Sequence, residues 1–323
     1  MNHALLDIHL TDGDADAALR ADVRAGLTAI PKQLPPKWFY DARGSELFEL
    51  ITELPEYYPT RTERALLERS VDEIAVTSGA DTLVELGSGS SAKTRLLLDA
   101  FFRSGSLRRY VPQDVSEAAL RLAMDALAAE YPRLALHGVV GDFTTHLDRL
   151  PRGDHRMVAF LGGTIGNLLP EERTQFLRQL RAVLHPGEQL LLGTGLVIAE
   201  DVLVRAYDDS AGVTAAFNRN VLRVLNRELG ADFVIDAFAH RALWDAENEW
   251  IEMRLVAERA MSVTVAHLGL RVQFAAGEEM RTEVSAKFRP AGVRAMLEEA
   301  RFAVTRTWTD PDDRFALTLA TAT

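Results

Sequence analysis

Residues Thr82 to Thr94, Thr-Leu-Val-Glu-Leu-Gly-Ser-Gly-Ser-Ser-Ala-Lys-Thr, narrow the choice of fold more than any other stretch. Leu83, Val84 and Leu86 make a short apolar run of the kind a buried strand uses. Gly87 and Gly89 suit a tight turn, and Ser90 or Ser91 is placed to cap a helix beginning near Ala92. Strand, Gly-x-Gly turn and helix N-terminus, in that order, form the nucleotide-cofactor corner of a doubly wound α/β sheet. Glu85 bears on the ligand. A carboxylate two residues before the turn would repel a pyrophosphate, whereas S-adenosylmethionine (SAM), phosphate-free with a cationic centre, tolerates it. A methyltransferase is therefore expected. NAD is the alternative ligand, with Ala92 at the third glycine position counting lightly against it.

The chain around this corner alternates strand and helix. Strands are expected at Arg109–Asp114, Leu134–Val140, Met157–Leu161 and Gln189–Gly193, with helices at Ala92–Phe102, Ser116–Glu130 and Pro170–Leu184. Such a series implies a mostly parallel sheet with right-handed crossovers. Near the C-terminus a helix, Pro290–Ala300, precedes an apolar hairpin, Phe302–Trp308 and Phe315–Ala320, which would complete a seven-stranded sheet. Between these parts the pattern changes. Two helices, Ile198–Tyr207 and Val213–Leu229, follow one another without a strand, and residues 233–275 alternate as antiparallel strands do. Upstream lie a loose start, a helix from Asp16 to Thr28, another from Gly44 to Glu53, and a capping box, Thr60-x-x-Glu63, opening a third. The expected fold is α/β: a Rossmann-like core over 61–195 plus 287–323, and a second α+β domain from 1–60 plus 196–286.

Composition removes several classes of function. The 323 residues hold no cysteine, which excludes disulfides and thiolate chemistry. Their net charge of −11 opposes binding to nucleic acid. No apolar run reaches membrane-spanning length, and the N-terminus lacks a basic-then-apolar leader pattern. The eight histidines show no metal-binding spacing, so no metal is expected, and Asp208-Asp209 reads as a solvated helix end. A cytoplasmic monomer acting on a small molecule is the expectation.

The expected cofactor residues sit at strand ends. Asp114 closes the second strand, where an acid can accept both ribose hydroxyls. Asp142 and Phe143 follow the third, offering a carboxylate for the adenine amino group and a ring for its face. Asn167 lies on the same rim after the fourth. Each acid alone reads equally as a helix cap or a solvated strand end; filling neighbouring rims together points to a ligand. Lys93 faces either the carboxylate of the methionine half or solvent.

Further motifs lie outside the core. Pro35-Pro-Lys-Trp-Phe-Tyr-Asp41, Leu54-Pro-Glu-Tyr-Tyr-Pro-Thr-Arg-Thr-Glu63, Val84-Glu-Leu-Gly-Ser-Gly89, Phe160-Leu-Gly-Gly-Thr-Ile-Gly-Asn-Leu168, Phe217-Asn-Arg-Asn220, Ala275-Ala-Gly-Glu-Glu-Met280 and Glu283-Val-Ser285 together resemble the L-histidine Nα-methyltransferases of ergothioneine biosynthesis. The resemblance covers nearly the whole chain. It implies SAM-dependent trimethylation of the histidine α-amine to hercynine. Carried over position by position, Tyr57, Asn167 and Tyr207 would hold the substrate's carboxylate and amine, and Glu283 and Ser285 its imidazole. Tyr40 would lie near the amine and Met253 beside the ring, and Gly87, Lys93, Asp114, Asp142 and Phe143 would take SAM. Gly195, Ile198 and Ala286 depart from the family pattern, where Asp, Lys and Cys are expected. Glu283 and Ser285, two apart, project to one side of an extended chain and could each meet one imidazole nitrogen; the residues alone favour an exposed strand face, and the resemblance reverses that preference. Another aromatic amino acid as substrate, or a non-catalytic SAM sensor, are the competing readings.

Overall fold

A computed structural model describes residues 4–89 and 93–323. The chain forms two compact units: residues up to Thr11 with Arg61–Leu196 and Phe288–Thr323, and Asp12–Thr60 with Val197–Lys287. Strands and helices are numbered here along the chain.

A parallel strand covered on both faces must be apolar almost throughout. β3 (Thr82–Leu86) is buried at every residue and lies parallel between β4 (Arg109–Asp114) and β6 (Arg156–Phe160). β5 (Ala135–Val140) and β1 (Leu5–Ile8) extend the sheet beyond β4, and β7 (Gln189–Gly195), β14 (Phe315–Ala322) and β13 (Phe302–Thr309) extend it beyond β6. The order is β1-β5-β4-β3-β6-β7-β14-β13, with β14 antiparallel to both neighbours. Helices α3 (Tyr58–Ser78), α4 (Thr94–Ser104), α5 (Glu117–Glu130), α6 (Pro170–Val183) and α9 (Pro290–Glu299) accompany it. Leu67, Ile74, Leu97, Phe101, Met157 and Leu317 belong to its core.

Several expectations change here. The sheet has eight strands among the described residues, because the supposedly loose start supplies β1. β1 is short, and Leu5 and Ile8 are exposed, so no alternation announces it. It is set by its partner: Leu6 packs onto the core, and Gly138 of β5 leaves room for it, since a Cβ there would lie 2.8 Å from Leu6 Cδ1. The segment through Thr11 therefore groups with 61–196 rather than with 12–60. α3 begins at Tyr58, so Thr60 lies inside its first turn and is not a capping residue. Ser116 does cap α5, accepting from Ala119 N at 3.2 Å. The expected cap at Ser90 or Ser91 and the helix start at Ala92 fall outside the described residues.

The second unit is built on the sheet β2 (Lys32–Gln33)-β12 (Glu279–Ala286)-β9 (Trp250–Ala257)-β8 (Phe238–Asp245). A hairpin, β10 (Met261–Val265) and β11 (Leu270–Phe274), and helices α1 (Asp12–Thr28), α2 (Ala42–Glu53), α7 (Glu200–Tyr207) and α8 (Val213–Leu229) complete it. Ile251, Met253 and Leu255 face its core with Phe39, Phe217 and Phe274. Asp209 is buried, not solvated: its carboxylate caps α8 by accepting from Val213 N (3.0 Å) and Thr214 N (2.7 Å).

Inside the first unit Arg156 and Glu188 form a bidentate ion pair, both contacts 2.7 Å, with each side chain only 2% exposed. Glu188 also accepts from His185 N, and Arg156 donates to the Val183 carbonyl. Removing one partner strands a desolvated charge, so Glu188→Ala should destabilise the protein by about 3–5 kcal/mol. The double variant Arg156→Met/Glu188→Leu should recover most of that loss in denaturant unfolding.

Candidate active site

In the first unit the carboxyl ends of β5, β4, β3 and β6 stand side by side, and the expected cofactor residues occupy them. Gly87 and Gly89 take positive φ of 67° and 50°, which favours glycine, and a Cβ at either would meet nothing within 4 Å. The turn is held from β4. Ser88 N donates to Gln113 O (3.0 Å), and Gly89 N donates to Asp114 Oδ2 (2.9 Å). Asp114 Oδ1 accepts from Ser116 N (3.0 Å), so this acid shapes the turn and the next helix cap. A carboxylate has about four acceptor sites, and lone pairs remain for hydroxyls. Asp142 Oδ1 accepts from the backbone and hydroxyl of Thr144 (2.8 and 2.6 Å), and the half-buried Phe143 ring meets Phe160 edge-on at 5.1 Å. Ser88 Oγ and both amide atoms of Gln113 are buried without a protein partner among the described residues. An open glycine turn, acids at successive strand ends and orphaned polar atoms beside it fit a nucleoside ligand such as SAM.

Lys93 faces neither solvent alone nor only a ligand. It pairs with Glu63, which is fully buried and accepts from Gly162 N at 2.7 Å. Gly193 has no side chain where a Cβ would collide with that carboxylate. Reading Glu63 as a capping-box acid missed this role. The signal was present: Glu63, Leu66, Leu67, Ser70, Val71 and Ile74 are all buried at helical spacing, which places an acid on the apolar stripe of α3. Asn167 ends a 3-10 turn, Thr164–Asn167, after Gly162 and Gly163, whose φ values of 76° and 68° bend the chain away from β6.

Glu85 also needs correcting. Its Oε2 accepts from Thr94 Oγ1 and Tyr110 Oη, each at 2.5 Å, within the sheet. Burial pushes its pKa up to about 7 against the opposing effect of those two hydroxyls. The group ties β3, α4 and β4 together, so its charge is no argument against a pyrophosphate.

In the second unit Tyr207, at the end of α7, is held at both ends. Its carbonyl accepts from His240 Nε2 (2.8 Å), while His240 Nδ1 accepts from Asn218 Nδ2 (2.8 Å), which defines a neutral tautomer. Burial lowers the His240 pKa, in keeping with that state. The Tyr207 phenol lies 2.8 Å from Ser285 Oγ, and its ring meets that of Tyr57 edge-on at 6.1 Å. Glu283 stands opposite Met253 in the β12–β9 ladder, and its charge is felt at both Tyr57 and Tyr207. Tyr40 reaches this group through Phe48: the rings of Tyr40 and Phe48 are 5.7 Å apart, those of Phe48 and Tyr57 6.3 Å. The structure therefore gathers Tyr57, Tyr207, Glu283, Ser285 and Met253, with Tyr40 more exposed at the margin. Lys287 joins them unforeseen, donating to Tyr207 Oη and Ser285 Oγ, each at 2.8 Å. Continuing the alternation Glu283, Ser285, Lys287 by one step would have found it. Ala286 is buried and makes none of these contacts.

Strand order and the open turn define the first unit as the Rossmann-like core of a class I methyltransferase. Residues 19–322 match the family described as histidine-specific, SAM-dependent methyltransferases, and the chain belongs to that family. It is 59% identical over 312 residues to a histidine N-alpha-methyltransferase of Mycolicibacterium smegmatis, covering 97% of each chain. It is 55% identical, with the same coverage, to one of Mycobacterium tuberculosis. An ergothioneine biosynthesis protein 1 of Neurospora crassa is 33% identical over 64% of this chain and 24% of its own length.

The pKa of Glu85 is raised from 4.5 to about 7, so its contribution to stability is fully present below pH 4.5 and is lost as pH rises through 7. The size of that loss is on the order of 3 kcal/mol. Glu85→Gln can keep both hydroxyl contacts through Oε1 and should flatten the pH dependence of unfolding across this window; an unchanged slope would show that Glu85 titrates normally.

Proposed function

We infer that this protein transfers methyl groups from SAM to the α-amine of L-histidine, three times, giving hercynine for ergothioneine biosynthesis. The observation that carries the reading is identity above half, along almost the full chain, to two histidine N-alpha-methyltransferases. The cluster around Tyr207 and Ser285 supports it, because paired hydroxyls beside a carboxylate offer both a donor and an acceptor to an imidazole.

In this reading Gly87, Lys93, Asp114, Asp142 and Phe143 hold SAM, which when bound supplies an electrophilic methyl group on a sulfonium. Tyr57, Asn167 and Tyr207 hold the amine and carboxylate of histidine, with Tyr40 near the amine. Glu283 and Ser285 take the ring nitrogens, and Met253 packs beside the ring. Methyl transfer needs a neutral amine whose lone pair lies in line with the bond that breaks. Burial pushes the phenols of Tyr57 and Tyr207 well above their ordinary pKa, with Glu283 adding to it, so at neutral pH they hydrogen-bond and do not serve as bases. Positioning is then the main contribution, a mechanism that can lower a barrier by about 7–11 kcal/mol. Each methylation removes an N–H donor, so tyrosine oxygens and ring faces must accept the growing cation.

The same reading has the protein act as a cytoplasmic monomer on a free amino acid, without nucleic acid, membrane or metal. No helix of the described residues is long and apolar enough to cross a membrane.

Mass spectrometry of histidine incubated with SAM and the protein should show mono-, di- and trimethyl products, the last accumulating; methylated tryptophan or tyrosine instead would overturn the substrate assignment. Glu283→Ala should raise the KM for histidine at least about tenfold, as expected for one stranded ring N–H, with little change for SAM. Equal effects on both substrates would count against the imidazole role.

A further inference from the structure

Lys287 follows β12 and is almost wholly buried, with no ion-pair partner among the described residues; burial holds its pKa below the ordinary lysine value, and the charge of Glu283 opposes that only from a distance. Its ammonium instead lies 2.8 Å from two hydroxyl oxygens, Tyr207 Oη and Ser285 Oγ, and 4.8 Å from the centre of the Tyr207 ring. Desolvating an amine for two neutral hydrogen bonds is unfavourable compared with packing a methionine there. A purely structural account leaves that choice unexplained.

Counting hydrogens explains it. An ammonium donates and never accepts, so both hydroxyl oxygens accept from Nζ. The two hydroxyls are also 2.8 Å from each other, and one of their two hydrogens occupies that contact. A single O–H remains, and Lys287 already fills the inside of the triangle. That hydrogen must point outward. Without the ammonium either hydroxyl could rotate, and the pair would accept as readily as donate. The other titratable groups near Lys287 are Glu283 on its own segment, Tyr58, and Tyr207 with its neighbour Tyr57.

We propose that Lys287 is a positioning residue for substrate recognition: its two hydrogen bonds hold Tyr207 Oη and Ser285 Oγ as acceptors, Tyr207 gives its own hydrogen to Ser285 Oγ, and the Ser285 hydroxyl is left as a donor toward the unprotonated ring nitrogen of a neutral imidazole, while Glu283 accepts from the protonated one. This rests on the assignment of Glu283 and Ser285 to the imidazole. It makes the site specific for a ring that presents one donor and one acceptor, and it works against the doubly protonated imidazolium.

The test compares histidine with its pyrrole analogue, which keeps the ring N–H and replaces the acceptor nitrogen by C–H. Lys287→Met should lower the kcat/KM preference for histidine over this analogue at least about tenfold, through KM more than kcat, because the donor is no longer directed. SAM binding measured by calorimetry should be unchanged, which also reports that the variant is folded. A Lys287 that only supports the fold would weaken both substrates alike, and an unchanged preference overturns the proposal. Wild-type enzyme gives an independent readout. Bound histidine labelled with 15N in the ring should show one protonated and one unprotonated nitrogen at neutral pH; two protonated nitrogens overturn the proposal whatever the variant does. If Glu283→Gln and Ser285→Ala leave the KM for histidine unchanged, the assignment of the imidazole itself fails. If they raise it while Lys287→Met keeps the preference, Lys287 alone has been misread.

Discussion

The buried carboxylate of Glu63 is the constraint on which the carboxyl-end rim of the first unit's sheet depends. A desolvated anion is tolerated only where donors meet it. Here they are the Lys93 ammonium and the amide of Gly162, with Gly193 leaving the space. These groups come from α3, the start of α4, the end of β6 and β7, so satisfying one carboxylate brings four elements into register. Glu85 does the same beneath the turn for β3, β4 and α4 through two hydroxyls. The glycine turn owes its shape to φ values only glycine adopts readily, and its placement to these two acids and to Asp114.

The second unit solves a different problem. Its polar cluster is held in defined directions beside an apolar core. The backbone of Tyr207 is fixed by His240, itself oriented by Asn218, whose Oδ1 accepts from Thr282 of β12 at 2.6 Å. The phenol is fixed by Ser285 and Lys287. β12 therefore reaches Tyr207 by two routes, which limits the freedom of a hydroxyl that would otherwise rotate. In the proposed reading, donors preorganised in this way meet histidine without ordering side chains on binding.

Much of this was legible in the chain itself. The alternation of strands and helices, the strand limits of Arg109–Asp114 and the helix Val213–Leu229 follow from local periodicity and punctuation, and they match the structure residue for residue. β1 was not legible, because a short exposed edge strand is defined by the free edge of β5 and not by its own pattern. Asp209 looked like a solvated acid because its capping of α8 depends on a loop geometry that no spacing rule describes.

By itself the sequence determined the doubly wound core, the glycine turn, the acids at successive strand ends and the motifs that place the chain in its family. All of these are local signals, carried by residues within one or two elements. What Glu63, Glu85 and Lys287 do was decided only by the tertiary structure. Their partners lie far along the chain, 99 residues for Glu63 with Gly162 and 80 for Lys287 with Tyr207. A charged side chain can cap a helix, meet solvent or orient a neighbour, and which of these it does depends on how deeply it is buried and on what the fold brings against it.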